Sequence, residues 1–252
     1  MFSPQGPSLR ELTVQALSSV ERGYDLLAPK FDQTPFRTPQ VILDATARAL
    51  AGLSVDGPGL DVCCGTGAGL GVLEAVCGGR VTGVDFSAGM LAEARAAHPG
   101  AALVQADARA LPFGHRAVPG HGAAAEFGLA VTFGALGHFL DRERPAVFAG
   151  VFRALRPGGV FAIPVGSLPP VTSVWHWATL GFDVAMRVRN AVWRPPFVMY
   201  YRTSPALRLR DELRAAGFTV TAVPLPELGA YRDGLPRYRL LIARKPAQHS
   251  GG

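Results

Sequence analysis

The chain is poor in lysine, poor in cysteine, and lacks the signatures of the common phosphate-binding loops. Lys30 and Lys245 are the only lysines among 25 basic residues, so the formal charge of +6 comes from arginines scattered along the chain. No lysine-rich arm marks a nucleic-acid footprint, and nucleic acid is the less favoured partner. Three cysteines, Cys63, Cys64 and Cys77, two of them adjacent, form neither a disulfide framework nor a metal-ligand spacing. No metal site is expected, and a reducing, cytoplasmic setting is. The N-terminal stretch carries Arg10 and Glu11 without a long apolar core, so no secretory leader is read there. Charged residues are absent from Gly158 to Phe182, a length that could cross a bilayer. Pro164, Gly166, Pro169 and Pro170 interrupt it. The pattern therefore predicts a buried strand, Val160–Val165, followed by an apolar lid, and no transmembrane segment.

What is present is a chain of 252 residues, 48% apolar, enough for one sizeable core. After predicted helices over 8–30 and Gln40–Leu53, strands and helices alternate. The strands are read at Gly59–Cys63, Val81–Asp85, Ala102–Gln105, Leu129–Phe133 and Val160–Val165. Helices at Gly69–Val76, Gly89–His98 and Pro145–Leu155 fall between them. This rhythm predicts an α/β, Rossmann-like doubly wound sheet, mostly parallel. Two further strands, Phe218–Pro224 and Tyr238–Ala243, follow a helix over Pro205–Ala216. Leu225–Pro236 is too short for a parallel crossover, so the last of seven strands is expected to run antiparallel. One domain over 1–252 is expected: an N-terminal helical cap (1–53), a cofactor-binding core (54–166), a lid insertion (167–204), and a C-terminal helix and strands (205–247).

The most informative stretch is Leu60-Asp61-Val62-Cys63-Cys64-Gly65-Thr66-Gly67. A strand runs into a glycine-bent loop and then a helix start, whose unpaired N–H groups suit a nucleotide-like ligand. Asp85, ending the next strand, is placed to take two ribose hydroxyls. The glycines space as Gly65-x-Gly67-x-Gly69-x-Gly71. That is not Gly-x-Gly-x-x-Gly, and no Lys-Ser/Thr follows, so a dinucleotide or a triphosphate fits poorly. Asp61, just before the loop, would oppose a pyrophosphate and favour a ligand bearing an ammonium group.

Four ordered blocks carry a resemblance: 60–67, already quoted, Val-Thr-Gly-Val-Asp-Phe-Ser-Ala-Gly-Met-Leu (81–91), Gln-Ala-Asp-Ala-Arg-Ala-Leu-Pro-Phe (105–113) and Phe-Arg-Ala-Leu-Arg-Pro-Gly-Gly-Val-Phe (152–161). With them the chain resembles the class I S-adenosylmethionine-dependent methyltransferases, most of all the small-molecule branch that includes quinone-ring methyltransferases. The resemblance implies S-adenosyl-L-methionine as cofactor and methyl transfer to a small, apolar or aromatic acceptor. It implies that Gly65, Thr66 and Gly67 bring backbone to the cofactor and that Asp61 faces its ammonium. Asp85 would hold the ribose, Phe86 and Met90 the adenine faces, and Asp107 and Ala108 the adenine edge. Thr132 and Phe133 would lie near the methyl, and Tyr24 and Arg37 near the amino-acid tail. Cys63 stands in place of the family's first loop glycine, and Gly128 where an aspartate is usual.

His138, after the fourth strand, and His176, in the lid, are the candidate general bases or acceptor contacts, since imidazole suits proton transfer near neutrality. His115 and His121 in the glycine-rich loop 114–126 are weaker candidates. The lid aromatics Trp175, Trp177, Phe182, Trp193, Phe197, Tyr200 and Tyr201 favour an apolar acceptor. Arg187, Arg189, Arg194 and Arg202 offer recognition of an acceptor anion. Three other functions compete: an RNA methyltransferase, a cofactor-binding protein without transfer activity, and, more distantly, a nicotinamide oxidoreductase. Oligomeric state is left open.

Overall fold

In a computed structural model, residues 8, 18, 20–34, 36–53, 55–78, 80–114, 127–192 and 206–247 are described. Seven strands form one sheet in the order β3-β2-β1-β4-β5-β7-β6. They are β1 (Gly59–Val62), β2 (Val81–Asp85), β3 (Ala102–Gln105), β4 (Phe127–Val131), β5 (Leu155–Gly166), β6 (Thr219–Pro224) and β7 (Tyr238–Arg244). The first five are mutually parallel, while β7 lies between β5 and β6 and runs antiparallel to both. The expected doubly wound sheet with a reversed last strand is therefore what the chain forms.

The described α-helices are α1 (Val20–Leu27), α2 (Gln40–Ala51), α3 (Ala68–Cys77), α4 (Ala88–Ala97), α5 (Arg144–Ala154), α6 (Val174–Val192) and α7 (Ala206–Ala215). The sheet buries both faces, and the period-two alternation of strand side chains divides each strand between them. Leu60, Val62, Phe161 and Leu241 pack into one cluster with Phe148 of α5 and Leu213 of α7. Leu129, Val131, Val160 and Ile242 pack into the other with Leu43 of α2 and Leu70 and Leu73 of α3. A charged side chain also sits inside this framework. Arg144 is fully buried, forked onto both Glu212 oxygens at 2.7 Å and bonded to Asp141 at 2.8 Å, which ties α5 to α7.

Several boundaries differ from the sequence expectation, β5 among them: it starts at Leu155, five residues before the expected Val160, where the preceding helix was expected still to run. The first helix was expected to run unbroken to residue 30, but α1 stops at Leu27 and passes into a 3-10 turn, Ala28–Gln33. Pro29 supplies no N–H there and cannot extend the α ladder. Residues 9–17 and 19 of that expected helix lie outside the described residues. The first strand ends at Val62, because Cys63 adopts φ +61° and leaves the extended region. The fourth strand begins two residues early, at Phe127, which is buried edge-on to Phe113 with ring centroids 5.1 Å apart.

Gly128, the second residue of β4, shows why the usual aspartate is absent. A Cβ there would run into the carbonyl oxygen of Asp56, where the chain leading into β1 crosses β4. Only a residue without a side chain lets these two backbones pass.

The apolar run 158–182 divides, as expected, into a buried strand and a later segment. Among the described residues no helix is long and apolar enough to cross a membrane.

Candidate functional site

The parallel strands β1 to β4 end at one rim of the sheet, and the chain order reverses between β1 and β4. This is the switch point at which open α/β sheets bind ligands. A cavity of about 800 Å³ opens there. It draws its walls from α1, the strand ends, the β4–α5 loop, and the segment after β5.

Asp61 is the most unusual group in it. Its place on β1, between Leu60 and Val62, turns it toward α3, and it is 1% exposed. Neither carboxylate oxygen has a hydrogen-bond partner among the described residues. Burial, with the nearby Asp85 charge adding to it, pushes its pKa up to about 8. A Cβ on Gly69, in the first turn of α3, would lie 2.5 Å from Asp61 Oδ2. The glycine therefore lets helix and carboxylate share one edge of the cavity. An orphaned buried acid facing a cavity is suited to a cationic ligand.

Asp85 is held in a different way. Its Oδ2 accepts from Gly65 N–H at 2.9 Å and its Oδ1 from Ser87 N–H at 3.0 Å. Burial raises its pKa while these backbone donors oppose the shift. The glycine loop and the second acid are thus a single unit: the loop orients the carboxylate, whose remaining lone pairs are available to hydroxyl donors. Gly67, at φ +98°, forms the turn into α3. Its back is packed by His98, whose Cδ2 would sit 2.6 Å from a Cβ at that position. His98 is in turn fixed by Glu74 at 3.0 Å.

The remaining expected residues fall as follows. Phe86 and Met90 line the cavity beside Asp85, Met90 being almost fully buried. Asp107 and Ala108 line the next portion. The Asp107 carboxylate is forked by Arg109 at 2.6–3.0 Å, and this side-chain bond draws its pKa down. Thr132 spends its hydroxyl on the Val62 carbonyl at 2.7 Å, so it braces the β1 and β4 ends, with Phe133 next to it on the cavity wall. Arg37 lines the cavity with its Nε 3.4 Å from Asp32. That spacing is an ion pair without a formed hydrogen bond. Asp32 itself accepts from Thr66 Oγ1 at 2.6 Å.

The two histidines separate. His138 ends a 3-10 turn, Ala135–His138, on the cavity wall. Its Nε2 is 2.8 Å from the Tyr24 hydroxyl, the two rings standing edge to face at 5.3 Å. Tyr24 also contacts Phe31 and Phe86, so α1 delivers an aromatic cover to the mouth. His176 does not line the cavity; its Nδ1 donates to the Pro169 carbonyl at 2.8 Å and braces the start of α6. His115, His121, Trp193, Phe197, Tyr200, Tyr201, Arg194 and Arg202 lie outside the described residues.

Burial holds the Cys63 and Cys64 thiols well above the usual range and pushes Cys77 up to about 11. None is a poised nucleophile. Among the described residues no cluster of three or more metal-ligating groups occurs.

Sequence reasoning missed Asp25. From α1 it accepts from the Ser87 hydroxyl at 2.5 Å and from Gly89 N–H at 3.0 Å, while Ser87 Oγ accepts from Met90 N–H. It thereby fixes the helix start that follows Asp85. The signal was present locally as Ser87, a helix N-cap type, but its partner lies 62 residues away.

Residues 60–159 match the family described as Methyltransferase domain. The chain is 38% identical over 136 residues to an uncharacterized methyltransferase of Synechocystis sp., covering 54% of this chain and 58% of that protein. It is 37% identical over 120 residues to a malonyl-acyl-carrier-protein O-methyltransferase of Enterobacter lignolyticus, covering 46% and 43%. The chain thus spans about half the length of the curated relatives it matches. Among solved structures, the DhpI–SAH complex superposes with a TM-score of 0.62 at 18% identity, over 96% of this chain and all of that one. The glycopeptide N-methyltransferase MtfA, complexed with S-adenosylmethionine, superposes at 0.55 and 20% identity, over 80% and 93%. The fold is that of the S-adenosylmethionine-dependent methyltransferases.

Proposed function

We propose that this chain is an S-adenosylmethionine-dependent methyltransferase acting on a small, apolar or aromatic acceptor. The observation that carries the reading is the pair of acids at the switch point. Asp61 is buried, orphaned and aimed into the cavity, as a ligand's ammonium requires. Asp85 is fixed by the glycine loop with lone pairs left for vicinal hydroxyls. A dinucleotide's pyrophosphate would find no counter-charge at Asp61, and its own charge would only raise that carboxyl's pKa further.

In this reading Asp61 binds the amino group of the cofactor, Asp85 grips both ribose hydroxyls in a charge-assisted way, and Phe86 and Met90 sandwich the base. Asp107, steadied by Arg109, and Ala108 N–H face the adenine edge. Arg37 and Tyr24 close over the amino-acid tail. When bound, the cofactor would supply an activated methyl on a sulfonium, whose sulfur would keep the bonding pair as the acceptor takes the methyl. The protein contributes alignment and exclusion of water. For a hydroxyl acceptor the released proton goes to the His138 imidazole, the histidine on the cavity wall, whose orientation is set by the Tyr24 hydroxyl. His176, braced on Pro169, takes no part.

The acceptor class rests on the walls beyond the cofactor residues. Ile163, Val165, Leu168, Leu209 and Tyr238 are apolar or aromatic, and a cavity of about 800 Å³ has room for a second small molecule beside the cofactor. An aromatic ring of the quinone type fits this description.

Isothermal titration calorimetry with S-adenosylmethionine, S-adenosylhomocysteine and NADH tests the reading. Binding of the first two and none of NADH is expected; binding of NADH alone overturns it. Labelled cofactor incubated with a metabolite extract would then reveal the methylated product.

A further inference from the structure

Helix α6 is built inside out. Its 19 residues span about 28 Å. At 100° per residue, Val174, Trp177, Val184, Val188 and Val192 fall along one stripe, and all are exposed, from 51% for Val184 to 82% for Val174. The opposite line carries His176, Thr179, Asp183 and Asn190, and Asp183 is only 4% exposed. A surface helix of a globular protein shows the reverse arrangement. No described helix or strand packs along α6 to account for it. Exposed Val171 precedes the helix at the end nearest the cavity, where Leu168, Pro169 and Thr179 line its wall.

We propose that this face of α6 docks on an anionic lipid bilayer surface. Charge selects this occupant. The stripe holds no carboxylate, and arginines flank it: Arg187 on one edge and, on the other, Arg189, one nitrogen of which is bonded to Asn190 at 2.9 Å. The chain as a whole carries +6, which draws it to an anionic surface and opposes pairing with a second copy of itself. Exposed Trp177 is the residue type that settles at the membrane–water boundary. The Trp177 indole N–H is already bonded to the Val171 carbonyl at 2.9 Å, so the ring can be buried without stranding a donor.

The proposal is independent of methyl transfer, and its test needs no cofactor. All three tryptophans, Trp175, Trp177 and Trp193, lie in or directly after α6, so intrinsic fluorescence reports on this region alone. The full chain is mixed with vesicles of phosphatidylcholine containing phosphatidylglycerol, and with vesicles of phosphatidylcholine alone. Flotation and tryptophan emission are recorded at low and high salt. Binding to the anionic vesicles, a blue shift, and weakening by salt are expected. The triple variant Trp177→Ser, Val184→Ser, Val188→Ser should lose about tenfold or more in partitioning while keeping its circular dichroism and melting temperature. Because the substituted side chains are exposed, folding should survive; a milder variant, Val184→Ser alone, gives a graded loss if the triple one does not fold. Absence of vesicle binding, or equal binding by the folded variants, overturns the proposal. So does self-association by sedimentation that the variants abolish, which would make the face an interface between copies.

Discussion

Replacing Asp61 by asparagine should strengthen the empty protein and cripple its ligand binding, two effects of opposite sign from one atom pair. In the folded chain the Asp61 pKa is raised to about 8 by burial and by Asp85; in the unfolded chain a carboxyl titrates near 3.9, a typical aspartate value. The folded state therefore holds the proton that the unfolded state releases between those values. A folded pKa above the unfolded one makes stability fall as pH rises through this window, by about 1.4 kcal/mol per pH unit. From pH 5 to pH 7 this single group should cost the wild-type chain about 2.7 kcal/mol. The amide in Asp61→Asn does not titrate, so denaturant unfolding at pH 5, 6 and 7 should show the variant gaining on wild type by about that amount. Ligand binding should go the other way. Removing a charged hydrogen bond to the cofactor's ammonium should weaken binding by about 1.5–3 kcal/mol, roughly 10- to 150-fold in Kd by calorimetry. Saturating S-adenosylmethionine should also flatten the wild-type pH slope, because the bound cation stabilises the ionised carboxylate. If the variant and wild type lose stability in parallel, or bind the cofactor within about twofold of one another, the assignment of Asp61 is wrong.

Three other outcomes are expected. His138→Ala should lower methyl transfer to a phenolic acceptor and remove the acidic limb of its pH–rate profile, while Tyr24→Phe keeps the limb and shifts it; an unchanged profile in His138→Ala removes it as base. Cys63→Gly should be more stable than Cys63→Ala by about 1 kcal/mol, because only glycine adopts φ +61° freely, and thermal melting of the two variants compares them directly. Arg144→Met should destabilise by about 3–5 kcal/mol in denaturant unfolding, since it leaves the Glu212 carboxylate without its fork.

The parts of the fold set by short-range pattern were legible in the sequence. Apolar runs and glycine turns located all seven strands, and the short stretch from Leu225 to Pro236 was enough to infer the antiparallel pair. Asp85 and the glycine loop could be recognised because Gly65 and Asp85 are only 20 positions apart, on adjacent elements. What escaped notice depends on long separations. Asp25 and Ser87 are 62 residues apart, Asp32 and Thr66 are 34 apart, and Tyr24 and His138 are 114 apart. No periodicity announces such partners. Gly128 looked like a departure from pattern, and its reason appears only when the Asp56 carbonyl is seen beside it. His176 and His138 looked alike as candidates; the carbonyl of Pro169 on one and the cavity on the other separate them. The amphipathic period of α6 was readable as a lid, but which face turns outward depends on the tertiary placement.

The insertion of β7 between β5 and β6 also sets a timetable. During synthesis β1 to β5 can pair as soon as Gly166 has emerged, and with them the rim that holds Asp61 and Asp85. The open edge of β5 then has to wait for Tyr238–Arg244. At about 5–20 residues per second this delay lasts roughly 4–14 s. Throughout that interval the nascent chain presents an apolar strand edge, Val160 to Val165, able to pair with any other strand it meets. Chaperone demand and aggregation should therefore be governed by the last strand, which also brings Tyr238 to the acceptor wall, although Asp61 and Asp85 are in place long before it.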